Sequence, residues 1–149
     1  MREFSKSIEI ASPPGRIWAV MSDVERWHEW TPSITSVVLT DKPPLRLGSH
    51  AVIKQPKFPA AKWRVTELVP GRGFVWISTG PGIVVSGSHQ IAANATGGSC
   101  TVTLRLQFTG LLGGLFGGLT AGINERYLTM EIEGLCKRCE SGDAGEAGA

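Results

Sequence analysis

Six strand-like segments follow one another between Ser33 and Phe108, with no helical pattern between them. They read "SITSVVLT", "SHAVIKQ", "AKWRVTELV", "GFVWIST", "IVVSGSHQIAA" and "SCTVTLRLQF". Apolar side chains recur at alternate positions or in short β-branched runs, which is the strand signature. The connections are turn chemistry, such as "DKPPLRLG" after the first segment and "NATGG" before the last. Asn94-Ala95-Thr96 also matches a glycosylation sequon and is read as part of that turn. Consecutive strands with short turns pair antiparallel. "EFSKSIEIA" near the start alternates in the same way and supplies a seventh strand. A sheet of this kind cannot cover both of its faces, so a further element has to lie on it.

Helical patterns occur in three places. In "SPPGRIWAVMSD", Ser12 is a candidate cap and Pro13 suits the first turn, before Ile17, Trp18, Val20 and Met21. "VERWHEW" follows, with Val24, Trp27 and Trp30 three apart, and Pro32 ends it. The third is the long segment closing with "ERYLTMEIEGLCKRCE". The expected fold class is therefore α+β: a seven-stranded antiparallel sheet wrapped around a long C-terminal helix, with two short helices after the first strand. Residues 1–140 are expected to form a single domain and residues 141–149, "SGDAGEAGA", a flexible tail.

Before the long helix, Leu106 to Asn124 runs for nineteen residues without a charge. Glycine is about 13% of the chain (19 of 149), against a usual ~7%, and eight glycines fall between Gly97 and Gly122. A membrane span does not fit, because "LQF" belongs to a strand and Leu111 to Ile123 is too short to cross. Wound as a helix, Gly114, Gly117, Ala121 and Asn124 fall on one side, and Leu128, Ile132, Leu135 and Cys139 continue it. Leu112, Phe116, Leu119, Ile123, Tyr127 and Met130 lie nearly opposite. The small half of the first stripe is expected to leave an apolar hollow over the sheet. The alternative is close backbone packing with no hollow. Residues 110–118 could be helix or a mobile loop at the mouth, since glycine is a poor helix former.

Bulk properties narrow the function. Hydrophobic residues make up 42% and charged residues 19%, as in a soluble globular protein. A net charge of +2 with scattered basic residues argues against nucleic acid. "MREFSKSIEI" lacks a signal-peptide h-region, which points to the cytoplasm. The three cysteines are too few for a disulfide framework, and "CKRC" reads as two half-buried thiols. There is no nucleophile elbow, phosphate loop or dinucleotide glycine pattern, so no cofactor is expected. His28, His50 and His89 lie far apart, so no metal site is expected either.

Alternation nominates the residues facing the hollow. Val102, Leu104, Leu106 and Phe108 form one apolar set, and Ile83, Val85, Gly87, His89 and Ile91 are taken as another. Phe74 and Trp76 share a face that could turn either way, and Trp63, Val65 and Glu67 share one. The candidate ligand-binding residues are Trp27, Trp30, Trp63, Trp76, Val85, His89, Leu104, Leu106, Phe108, Gly114, Gly117 and Ala121. His89 is the candidate catalytic residue, as an acid/base among apolar neighbours. Tyr127 could offer its hydroxyl to a ligand or reach water.

"IASPPGRIWAVMSDVERWHEWTPSI" resembles the opening of the START-like, or SRPBCC, superfamily, in its polyketide cyclase/dehydrase and lipid transport branch. Trp18, Asp23, Trp27, Trp30 and Pro32 match its pattern, and later segments to residue 140 are similar too. The resemblance implies a helix-grip fold holding an apolar ligand between sheet and helix. Three functions are then open. One is binding, for carriage or sequestration, of a hydrophobic or lipid-like small molecule. Another is aromatase/cyclase or dehydratase chemistry with His89 as acid/base. The last is an interaction module whose apolar stripe docks a partner chain or a second copy, as in a homodimer.

Overall fold

The computed structural model describes residues 1–95 and 97–141. Thr96 of the sequon and the expected tail beyond Ser141 lie outside them. Strands β1 (Arg2–Ile10), β2 (Ser36–Leu39), β3 (His50–Lys54), β4 (Ala61–Val69), β5 (Gly73–Gly80), β6 (Ile83–Ala93) and β7 (Cys100–Thr109) form one sheet. Their order is β1-β7-β6-β5-β4-β3-β2, and every neighbouring pair is antiparallel. The sequence pattern predicts this seven-stranded sheet with its covering helix, and the structure has it.

Alternation sets the inner face. On β7, Val102 is 0% and Leu104 1% exposed, while Thr101 and Thr103, which alternate with them, are half-buried. On β1, Phe4 opposite Leu106 and Ile10 opposite Cys100 are buried. On β5, Phe74 and Trp76 both turn inward, which settles the face left open by the sequence. On β4 the expected Trp63–Val65–Glu67 face does not hold. A bulge between Val65 and Glu67 shifts the register, so Leu68 pairs with Phe74 and Glu67 is exposed.

Helix α1 (Pro14–Ser22) and a 3-10 helix (Val24–Glu29) follow β1. Pro13, not Ser12, occupies the N-cap position of α1, and the buried Ser12 hydroxyl lies 3.4 Å from the Pro13 carbonyl. The C-terminal segment is not one helix. It breaks at Thr120 into α2 (Gly113–Leu119) and α3 (Ala121–Glu140). Gly110 makes the turn into α2 at φ +91°, where a Cβ would stand 2.6 Å from the Gly82 carbonyl oxygen. Residues from Gly113 on are thus helix. No helix among the described residues is long and apolar enough to cross a membrane.

Helix α3 lies on the inner face of the sheet and buries Asn124, Leu128, Ile132, Leu135 and Cys139. These join Ile17, Met21, Val24 and Trp27 and the inward residues of the sheet in one core. The C-terminal carbonyls of α3 have no partners within the helix. Arg16 of α1 donates to those of Cys139 and Ser141 and fixes this end.

Candidate functional site

The sheet and α3 do not meet along their whole length. Under the N-terminal half of α3 lies a hollow of two adjoining lobes, with volumes of about 80 and 330 Å³. Ile53, Gln55, Trp63, Leu106 and Asn124 wall both. The inner lobe reaches Trp27, Trp76, Gly87, His89, Leu104, Tyr127 and Glu131. The outer lobe is bounded by Val85, Phe108 and Phe116, by Phe58 and Pro59, and by the residues flanking the β5–β6 turn. Its lining is mostly apolar, as ligand cavities commonly are, with Gln55, Ser78, Thr79 and Asn124 as the polar residues.

Polar chemistry concentrates at the inner end. The period of β6 turns His89 inward beside Val85 and Gly87, and it is only 5% exposed. Its ring stacks on Phe74 at 4.2 Å, with Trp27 at 5.3 Å and Trp76 edge-on at 5.8 Å. His89 Nδ1 lies 3.3 Å from the Phe74 carbonyl oxygen. A carbonyl only accepts, so Nδ1 carries a hydrogen and Nε2 is left to face Glu131 Oε2 at 3.5 Å. The Glu131 side chain is only 15% exposed. Nε2 and the carboxyl thus stand as a buried pair of groups able to take up and give a proton beside the inner lobe.

Two further polar groups line the walls. Asn124 is 6% exposed, and its amide donates to Thr120 Oγ1 at 2.8 Å. The Tyr127 hydroxyl donates to the Pro56 carbonyl, with Phe58 edge-on against its ring at 6.0 Å. Tyr127 thereby ties α3 to the β3–β4 connection at the side of the hollow.

The structure brings most of the expected residues together. Trp27, Trp63, Trp76, His89, Leu104 and Leu106 line the inner lobe, and Trp63, Val85, Leu106 and Phe108 the outer one. Trp30, Gly114, Gly117 and Ala121 stand elsewhere. Trp30 packs on Trp27 at 5.6 Å and over Gly134 of α3. A Cβ at Gly117 would meet Arg2 Cβ at 2.9 Å and Phe108 Cδ1 at 3.0 Å, so this glycine admits neighbours and leaves no hollow. Gly114 faces the Met1 amino group, and Ala121 packs against the core. The small stripe is close packing, and the hollow lies one turn further along. Glu131, Gln55, Phe58 and Phe116 were not anticipated. The signal for Glu131 was its spacing, three after Leu128 and four before Leu135 on the buried side of α3.

Two other groups carry little chemistry. Burial pushes the Cys139 thiol up to about 12. Burial, with Glu140 beside it, also raises Cys136, so neither is a ready thiolate. Among the described residues no cluster of His, Cys, Asp or Glu could hold a metal ion.

Comparison with known proteins follows the same lines. A family model described as "Polyketide cyclase / dehydrase and lipid transport" matches residues 1–140. No curated protein sequence matches. Among solved structures, a hypothetical protein from Helicobacter pylori superposes with a TM-score of 0.79 at 9% identity, over 93% of this chain and 88% of that one. The Zhui aromatase/cyclase from Streptomyces sp. R1128 gives 0.74 at 15% identity, over 93% of each chain. The di-domain aromatase/cyclase BexL, from the BE-7585A biosynthetic pathway, gives 0.68 at 16% identity, over 91% of this chain and 45% of that one. At such identities the likeness is one of fold.

Proposed function

The chain belongs to the polyketide cyclase / dehydrase and lipid transport family, and from that premise we propose that it binds a hydrophobic small molecule in the hollow beneath α3, its polar end toward His89 and Glu131. The observation that carries this reading is the hollow itself: an outer lobe of about 330 Å³ with mostly apolar walls, adjoining an inner lobe lined by His89 and Glu131. An apolar body gains free energy by leaving water for such walls. The binding serves carriage or sequestration, in the cytoplasm, where the free thiols of Cys100, Cys136 and Cys139 remain reduced.

The test is extraction of purified protein with organic solvent, followed by mass spectrometry. The expected result is an apolar compound released by the wild type and depleted in Val85→Phe, which fills the outer lobe. Equal extracts from both proteins contradict the proposal.

The His89–Glu131 pair favours a second reading, cyclase or dehydratase chemistry on a polyketide-like substrate. Proton transfer at a carbonyl needs one positioned acid/base group and a shaped pocket. His89→Phe separates the two. In a carrier it adds apolar surface, and affinity holds or rises. In a cyclase it lowers the rate on the order of 10²–10⁴-fold with binding intact.

A further inference from the structure

Two tryptophans at the inner lobe are buried to nearly the same degree, yet their indole N–H groups are treated differently. Trp27 is 2% exposed and donates to the Met21 carbonyl at 2.9 Å. Trp76 is 3% exposed, and its N–H meets no acceptor among the described residues. The Trp76 Nε1 atom itself is not sealed off, since Arg105 Nε is the one fully buried side-chain N or O atom without a hydrogen-bond partner among the described residues, so the free N–H borders the inner lobe.

The position of the orphan group is informative. Its edge of the ring lies over Gly87, where a Cβ would stand 3.2 Å from both Nε1 and Cδ1. Gly87, two residues along β6 from His89, and Trp76, its partner on β5, both line the inner lobe. The missing side chain at position 87 leaves the N–H open to whatever occupies the lobe.

Resting on the binding reading above, we infer that Trp76 is a specificity-determining donor that selects molecules presenting a neutral oxygen acceptor, such as a carbonyl, at the inner lobe. A neutral acceptor fits because the surroundings are apolar. Arg105 also borders the lobe, and its guanidinium is already paired with Glu3 at 3.3 Å. An ionised ligand group here would have to draw that cation away from Glu3.

The test uses 9-fluorenone and fluorene, three-ring probes of nearly the same shape that differ in one carbonyl. Affinities are measured by equilibrium dialysis. The wild type should prefer fluorenone about three- to tenfold, the range of one net neutral hydrogen bond. Trp76→Phe should bind both probes equally. Gly87→Ala keeps the indole but sets a methyl against its N–H, and should abolish the preference too. If Trp76→Phe does not fold, Gly87→Ala decides. Equal binding of the probes by the wild type overturns this inference and leaves the binding reading standing. A preference that survives both substitutions also overturns it and assigns the donor to the His89–Glu131 pair. Binding of neither probe overturns the inference and the binding reading together.

Discussion

At the C-terminal end of α3, contacts arrive from several sides. Arg16 of α1 reaches its last carbonyls, Arg138 pairs with Glu29 at 2.7 Å, and the Ala11 amide donates to Glu140 at 2.8 Å. Gly134 lets the Trp30 carbonyl come so near that a Cβ would stand 2.0 Å from its oxygen. At the N-terminal end, Asn124 and Glu131 face the hollow, and the approach to the sheet is left to α2 through Gly113 and Gly117. A helix held this firmly at one end can span open space at the other without settling onto the sheet. Glycine serves packing at both ends, and the hollow owes its existence to the stretch between.

The contrast can be broken from the firm end first. Gly134→Leu drives a side chain into backbone at Trp30, where nothing flexible can yield. We expect a loss of about 3 kcal/mol or more and a large fall in Tm on thermal unfolding. A small change would mean that this end is looser than its contacts imply.

At the other end two substitutions are compared. Gly117→Leu collides with the Arg2 side chain and the Phe108 ring edge, and should cost about 1–3 kcal/mol. Val85→Phe adds a comparable bulk into the outer lobe, and should leave Tm nearly unchanged while weakening an apolar probe. Equal destabilisation by both would mean that the lobe is not free space.

The smallest effect concerns the Glu29 tether. Hydrogen bonds from Arg26 and then Arg138 hold its carboxyl below the usual value of 4.5. A depressed carboxyl stabilises the fold above its unfolded value, and that contribution is lost as pH falls through the folded one. Wild type should therefore exceed Glu29→Gln in stability at pH 6, on the order of 0.5 kcal/mol for so exposed a pair, and converge with it toward pH 3. Urea titration at the two pH values measures this. A gap that persists at pH 3 would assign the effect to packing.

The same contrast explains what could be read from the sequence. The sheet was legible because each strand is covered on one face, so that Val102, Leu104 and Phe108 alternate with polar neighbours. His89 was legible for the same reason. The bulge after Val65 left no mark in that alternation, so Glu67 was misplaced. The glycines were ambiguous in principle, because an absent side chain can mean space or a neighbour. Gly117 has Arg2 and Phe108 as its neighbours, and neither is near it in sequence. The break at Thr120 also changes which side chains share a face, bringing Phe116 to the outer lobe. Glu131 was hidden because a charged residue on a helix is ordinarily at the surface.

On the proposed function, the space under α3 holds an apolar molecule. A rival apolar surface lies outside it, where Leu111, Leu115 and Leu119 are 98%, 63% and 77% exposed. Amide chemical-shift mapping by NMR during titration with N-phenyl-1-naphthylamine distinguishes them most directly. Saturable shifts are expected to centre on Trp63, Trp76, Val85, His89 and Leu106, with Cys136 to Glu140 unmoved. Shifts confined to Leu111–Leu119, with the inner strands silent, would contradict the proposed function.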